Sequence, residues 1–197
     1  MNFEDALGRY WDDFVRYSRA LAGSRDNGDD LLQESLVRAW RGYEKLDNHD
    51  SFKQWVIRII SNTYKSQIRL AWVKRLVGIE TLDTEPTSVE LPYEEKELVR
   101  IAMQNLPAKQ REALILFEVL SMSVIEIAEI QKVTLSAVKS RLARGREKLQ
   151  KSYFELNGEQ GFTKSRSTNS IMVPAQLSVA NAVDPTLNSN GSKGNSQ

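Results

Sequence analysis

Five cations follow one another along a predicted helix near residue 140. They are Lys139, Arg141, Arg144, Arg146 and Lys148. Val138, Leu142 and Leu149 recur at roughly helical spacing among them, so one face is apolar and the opposite face is basic. Cationic side chains bind phosphate, and polar side chains near the start of such a helix can reach base edges. The pattern therefore favours contact with DNA over a solvated basic surface helix.

A short helix and a tight turn precede this basic helix. Ser123 and Glu126 have the spacing of a capping box, in which each side chain satisfies one backbone N–H at the helix start. A turn is predicted around residues 131–133, and Thr134 is a good N-cap for the basic helix. The segment is typical of a helix-turn-helix, whose first helix braces the second in the major groove.

The same segment resembles the C-terminal DNA-binding domain of bacterial sigma factors of the extracytoplasmic-function (ECF) type. The resemblance lies in E-I-A-E (126–129), in V-K-S-R-L-A-R-G-R-E-K-L (138–149) and in L-P-A-K-Q-R-E-A (106–113). The family usually has Gly where this chain has Lys132, so the turn either differs or holds Lys132 in a left-handed conformation at a cost of about 1 kcal/mol. Ser136-Ala137 stand where the family commonly has Gly-Thr, and this difference affects which bases the resemblance implies the helix would prefer. The resemblance implies −35 promoter contacts from Thr134, Ser136, Lys139, Ser140, Arg141, Arg144 and Arg146.

A second motif lies in D-D-L-L-Q-E-S-L-V-R-A-W, residues 29–40. Acids near a helix start complement the helix dipole by about 0.3–1 kcal/mol, which would explain them without a partner. The segment also resembles the sigma-factor helix that docks on the clamp helices of the RNA polymerase β′ subunit. That resemblance implies polymerase contacts from Asp30, Gln33 and Glu34, and a core position for Trp40.

The third motif, F-K-Q-W-V-I-R-I-I-S-N (52–62), resembles the sigma-factor helix that reads the −10 element. In that family the loop before the helix captures a flipped base, and unstacking a base costs a few kcal/mol. The resemblance makes residues 48–51 candidates for the base pocket. The predicted −10 contacts are Asn48, His49, Asp50, Lys53, Arg58, Asn62, Lys65 and Arg69. Without the resemblance, His49 is predicted to be an exposed histidine in a loop. Trp55 lies in the apolar stripe of the helix and is predicted to be a core residue.

The elements that carry these motifs are all predicted to be helices. One apolar stripe runs from Phe3 to Leu21, and Gly23 and Asn27-Gly28 are expected to end that helix. A second helix is expected from about Asp29 to Lys45, and a third from a Ser51–Gln54 capping box to about Trp72. The fold class is therefore all-α, with an N-terminal domain at 1–76, an acidic linker at 77–93, a helix-turn-helix domain at 94–152 and a disordered tail at 153–197.

The composition of the chain narrows the range of possible functions further. The 197-residue chain has a net charge of +1, so charge distribution rather than overall charge points to nucleic acid. It contains no cysteine and one histidine, which leaves no disulfide and no cysteine-ligated metal, and we expect no cofactor or metal site. No signal peptide or run of about 20 apolar residues is present, so we expect a soluble, cytoplasmic protein.

The resemblance implies a sigma factor that binds core RNA polymerase through its β′ clamp helices, recognises promoter DNA and is often restrained by an anti-sigma factor. Two other readings remain open. A sigma-like decoy would sequester an anti-sigma factor without binding DNA, and the basic helices argue against it. A conventional helix-turn-helix repressor would leave the helices of Asp30 and Trp55 without a role. No nucleophile motif or phosphate-binding loop indicates an enzyme.

Overall fold

The computed structural model describes residues 2–76 and 95–158, and within these ranges the chain is helical and contains no strand. The first range forms α1 (Phe3–Ala22), α2 (Arg25–Gly42) and α3 (Phe52–Leu76). The second forms α4 (Glu95–Gln104), α5 (Ala108–Leu114), α6 (Val124–Gln131) and α7 (Leu135–Leu156). This confirms the all-α class with two helical regions. The predicted linker and the tail beyond residue 158 lie outside the described residues, and α7 continues past residue 152.

An aromatic cluster holds the three helices of the N-terminal region together. Phe52, at the start of α3, is fully buried, and its ring centroid lies 5.8 Å from that of Phe3 and 6.2 Å from that of Phe14. Tyr43 meets the same ring edge-on at 5.8 Å. Edge-to-face pairs add about 0.5–1.5 kcal/mol beyond area burial, so these rings fix the start of α3 against α1.

The α1–α2 junction is tighter than the sequence predicts. Gly23 ends α1 with φ 82°, a left-handed conformation that glycine adopts without strain. The side chain of Ser24 then caps α2, which begins at Arg25. Asn27 and Gly28 were expected to break the helix but lie in its first turn, because Gly28 lets α2 approach α1 closely. A Cβ built there would lie 2.5 Å from the Cα of Arg19.

Two local expectations for this region are wrong. Trp40 is 58% exposed, because Ala39 rather than Trp40 faces the other helices and the indole only covers the edge of the Phe3 ring. Ser51 does not form a capping box with Gln54. Its hydroxyl donates to the carbonyl of Asn48, in a 3-10 turn that leads directly into α3.

The C-terminal region contains the predicted helix-turn-helix. Both hydrogen bonds of the Ser123–Glu126 capping box are present at the start of α6. The Thr134 hydroxyl accepts the backbone N–H of Ala137 and caps α7. Lys132 connects the two helices with φ 52° and ψ 54°, so the turn is the left-handed one and a residue with a Cβ occupies it.

The long helix α7 is the main support of this region. Val138, Leu142 and Leu149 are buried, as predicted, and Gly145 lies against Leu114 of α5, where a Cβ would come within 3.0 Å of the leucine side chain. A π-helical turn, Ile115–Val119, follows α5. The sequence pattern does not reveal this turn. Asn105, just after α4, is exposed, and its side-chain amide donates to the hydroxyl of Ser152 in α7.

None of the helices in the described ranges combines the length and the apolar character that spanning a bilayer would require.

Candidate nucleic-acid interface

The outer face of α7 presents the cations that the sequence assigns to DNA. Lys139 and Arg144 are exposed along its length, and Thr134 and Ser136 are exposed at its start. Ser140 is half-buried beside them. Because a recognition helix reads bases from its first turns, this end of α7 has the arrangement that groove entry requires.

The two other arginines of α7 are held by neighbouring side chains. Arg141 donates to the amide oxygen of Gln131, with 2.6 Å between Nη1 and Oε1. Arg146 pairs with Glu118 at 2.7 Å and lies over the ring of Phe117, 5.1 Å from its centroid. Arg146 therefore turns toward the π-helical turn, away from the exposed face of Lys139 and Arg144.

The candidate polymerase contacts lie together on α2. Asp30 and Gln33 are exposed on successive turns. Glu34 is exposed too, but its carboxylate binds Arg38 on the same helix and accepts the side-chain amide of Gln67 from α3 at 2.7 Å. The geometry leaves the side chains of Asp30 and Gln33 accessible, whereas Glu34 joins α2 to α3.

The loop before α3 forms one wall of a cleft. The cleft has a volume of about 400 Å³ and is lined by Leu46, Asn48, Asp50, Ser51, Gln54, Trp55, Arg58 and Glu129. The side chain of Asn48 accepts the backbone N–H of Asp50 and so fixes the loop. His49 is exposed, and its ring lies 5.2 Å from that of Tyr43. The cleft thus combines one aromatic wall with amide, hydroxyl and guanidinium groups, which suits a nucleobase.

The candidate −10 cations of α3 differ in their surroundings. Lys53 pairs with Asp13 of α1 at 2.6 Å and lies over the Tyr10 ring. Asn62 and Arg69 are exposed further along the helix. Burial alone would raise the pKa of Asp13, but the hydrogen bond and charge of Lys53, with those of Arg16, lower it below its ordinary value. The carboxylate therefore stays ionised and holds the Lys53 ammonium against α1.

Arg58 and Lys65 each contact the C-terminal region, although about half of the Lys65 side chain stays exposed to solvent. Arg58 donates to the carbonyl of Glu129 at 3.2 Å, and Lys65 pairs with the carboxylate of Glu112 at 3.0 Å. Glu112 is only 3% exposed. Burial, followed by the negative charge of Glu112, raises the pKa of the neighbouring Tyr17 well above its ordinary value.

A chain of polar contacts links the two candidate DNA surfaces, and the sequence pattern does not predict it. One carboxylate oxygen of Glu112 accepts from Lys65, and the other accepts the side-chain amide of Gln131 at 3.0 Å. Gln131 in turn accepts from Arg141. The only signal in the sequence is the R-E pair of the 106–113 motif, in which Arg111 is also buried and donates to the Tyr64 hydroxyl.

Known sequences match both helical regions. Residues 7–74 match the family described as Sigma-70 region 2, and residues 96–149 match Sigma-70, region 4. The ECF RNA polymerase sigma factor EcfG of Rhodopseudomonas palustris is 32% identical over 142 residues, covering 68% of this chain and 75% of that protein. The ECF factor SigW of Bacillus subtilis is 26% identical over 168 residues, covering 78% of this chain and 90% of that protein.

Solved structures share the fold. The sigma factor RpoE, crystallised with the anti-sigma factor NepR from Bartonella quintana, matches with a TM-score of 0.63 at 24% identity, covering 80% of this chain and 98% of that one. CnrH in complex with the cytosolic domain of CnrY matches with a TM-score of 0.56 at 21% identity, covering 80% of this chain and 89% of that one. With both sigma-70 regions matched in order, this chain belongs to the ECF sigma factors of RNA polymerase, which are transcription initiation factors and not enzymes.

Proposed function

We propose that this chain is an alternative sigma factor that binds core RNA polymerase and directs promoter-specific initiation through −10 and −35 elements. The observation that carries the proposal is the exposure of two unlike surfaces on separate helical regions. One is the acidic and amide surface of Asp30 and Gln33 on α2, and the other is the basic surface of Lys139 and Arg144 on α7. A factor that joins an enzyme to DNA needs both.

The basic surface also favours this function over that of a decoy. A protein that only sequesters an anti-sigma factor has no need of exposed cations at the start of a recognition helix. Phosphate contacts supply much of the affinity of DNA-binding proteins, and Lys139 and Arg144 are placed to make them. We assign the −35 element to this surface, and the −10 element to the cleft of Asn48 and Trp55 with the adjoining face of α3.

We also propose an anti-sigma factor as a regulatory partner. The described RpoE and CnrH structures are each complexes of one chain with another protein, and for RpoE that protein is an anti-sigma factor. The surfaces that this partner would cover are those that polymerase and DNA would need, so its binding and transcription would exclude each other.

The test is transcription in vitro with core RNA polymerase on fragmented genomic DNA, with and without this protein. New, discrete start sites are expected, and their upstream sequences would give the −10 and −35 preferences. Asp30→Arg should abolish these transcripts and co-purification with polymerase. Asp12→Arg is the matched control, because it makes the same charge change at an exposed position of α1. Transcripts that persist with Asp30→Arg would remove the α2 surface from the proposal.

A further inference from the structure

An apolar groove lies where the two helices of the helix-turn-helix begin. It has a volume of about 620 Å³, and its apolar lining comprises Ile125 and Ala128 of α6 together with Val133 and Leu135. Ile125 is 61% exposed and Leu135 is 47% exposed, although both are large aliphatic side chains. Exposed apolar residues that occur singly need no explanation, but two that share one groove indicate a site for an apolar partner.

The groove adjoins the surface proposed for the −35 element. Its lining includes Thr134, which caps α7, and Leu135 is the first residue of that helix. Glu129 and Lys132 lie beside the apolar residues, and their opposite charges favour an occupant without net charge. Because a recognition helix enters the major groove by its first turns, whatever fills this groove covers the end of α7 that DNA would need.

A segment of this chain has the composition that the groove requires. Residues 167–183, S-T-N-S-I-M-V-P-A-Q-L-S-V-A-N-A-V, contain no charged side chain, and their aliphatic residues are concentrated in 171–183. In residues 77–94, by contrast, most aliphatic residues directly adjoin an acidic one, as Leu82 adjoins Asp83. An uncharged segment can cover an apolar surface without removing a charge from water, which is costly.

The chain beyond α7 is long enough to bring this segment to the groove. The helix spans Leu135–Leu156, so at about 1.5 Å per residue its start lies about 32 Å from its end. From Gly158 to Ile171 the chain can span at most about 45 Å, at about 3.3–3.6 Å per residue. A short tether gives an effective concentration on the order of 1 mM, so the segment can occupy the groove even if its intrinsic affinity is weak.

Other exposed apolar side chains suit this segment less well. Val37 and Trp40 lie on α2, next to the surface proposed for polymerase. Leu70 and Trp72 of α3 are exposed beside cations such as Arg69. An uncharged segment that covered them would remove water from those cations without pairing them, and this cost disfavours docking there.

We propose that residues 171–183 dock in the groove of Ile125 and Leu135 and compete there with duplex DNA for the start of α7. The competition rests on the proposed function, which assigns that end of α7 to the −35 element, whereas the docking does not. Against an effective concentration of roughly 1 mM, a Kd of about 0.1–0.3 mM leaves the groove open in about a tenth to a quarter of the molecules. The apparent affinity for duplex DNA is then reduced about four- to tenfold.

Docking is tested by methyl NMR of the full chain. Because the chain has no cysteine, Ser167→Cys provides a unique site for a nitroxide label just before the segment. The methyl signals of Ile125 and Leu135 should broaden. Broadening confined to other methyl groups, such as those of Leu70, would place the segment elsewhere and overturn the proposal, and so would the absence of broadening.

A mixing experiment identifies which copy of the chain supplies the segment. Isotope-labelled chain without nitroxide is mixed with nitroxide-labelled chain at natural isotope abundance, and the methyl signals of Ile125 and Leu135 should stay sharp. Broadening in the mixture as strong as within one chain would show that a second copy fills the groove, which contradicts the proposed occupant.

Variants of the tail connect docking to DNA binding. Ile171→Asn with Leu177→Asn should abolish the broadening, whereas Phe162→Asn with Leu187→Asn, the matched control, removes two apolar side chains outside the segment and should preserve it. Binding is measured at low salt by fluorescence anisotropy with a fluorescein-labelled DNA duplex of mixed sequence. The first variant should bind about four- to tenfold more tightly than its control, with an equal salt dependence because no charge has changed.

Equal affinity of the two variants for the duplex would refute the competition. Transcription with core polymerase reports the proposed function separately. Discrete start sites without methyl broadening would leave the sigma function in place and overturn the docking. Broadening without any start sites would remove the proposed function, and the competition with it, but not the docking.

Discussion

Replacing Lys132 by Gly should stabilise the helix-turn-helix. Lys132 links α6 to α7 with φ 52° and ψ 54°, where a side chain costs roughly 1–2 kcal/mol relative to the right-handed conformation. Glycine avoids that cost, but it loses more backbone entropy on folding, roughly 0.5–1 kcal/mol. The expected net gain in the free energy of unfolding is therefore about 0.5–1 kcal/mol, or about 2–8 °C in the melting temperature of a domain this small.

The measurement is urea and thermal denaturation followed by circular dichroism, with Lys132→Ala as the matched control. Alanine removes the ammonium group but keeps the Cβ, so its stability should equal that of the unmodified chain. If Lys132→Ala stabilises the protein as much as Lys132→Gly does, the gain comes from removing a charge near other cations. The strain at Lys132 would then be refuted as its source.

Three further outcomes are expected. Gly28→Ala should destabilise the protein by about 1–3 kcal/mol in urea denaturation, because its Cβ would meet the α1 backbone at 2.5 Å, whereas Gly8→Ala, with nothing within 4 Å, should be neutral or stabilising by up to about 1 kcal/mol. The backbone N–H of Ser123, followed by its hydroxyl, lowers the pKa of Glu126, so this residue stabilises the fold above the ordinary glutamate pKa and the contribution is lost as the pH falls. The Glu126→Gln variant should therefore be less stable than the unmodified chain near neutral pH, and it should lose less stability between about pH 6 and about pH 3. An equal loss of stability in acid for the two proteins would contradict the assignment. Arg144→Ala should weaken promoter binding and reduce the slope of log affinity against log salt by about one, and an unchanged slope would show that Arg144 makes no phosphate contact.

The features predicted correctly from the sequence are those decided within a few residues of the chain. The Ser123–Glu126 capping box, the Thr134 cap and the buried positions of α7 depend on side chains three or four residues apart, which helix geometry brings together. The sequence left two possibilities for the turn at Lys132, and the backbone adopts the left-handed one.

Features that depend on distant parts of the chain were missed. Trp40 fits the helical stripe, but the way α2 rests on α1 and α3 turns Ala39 inward instead. Gly28 lies inside α2 because it permits a close crossing with α1, which no local pattern reveals. The pairing of Lys65 with Glu112 joins residues 47 positions apart, across the linker. The DNA and polymerase contacts of the individual site residues stay predictions.

The acceptors that join the two regions have an evolutionary consequence. Arg16, Arg58 and Arg100 each donate to a backbone carbonyl near the end of a helix, at Val119, Glu129 and Gly23 respectively. A carbonyl is present whatever residue carries it, so substitutions at Val119 and Glu129 that keep the backbone conformation leave these bonds in place, whereas the left-handed Gly23 favours glycine. Correlated substitutions between the partners are therefore not required, and comparing related sequences for co-varying pairs would overlook these contacts. Selection on this packing would fall on the three arginines and on the lengths of the helices that present the carbonyls to them.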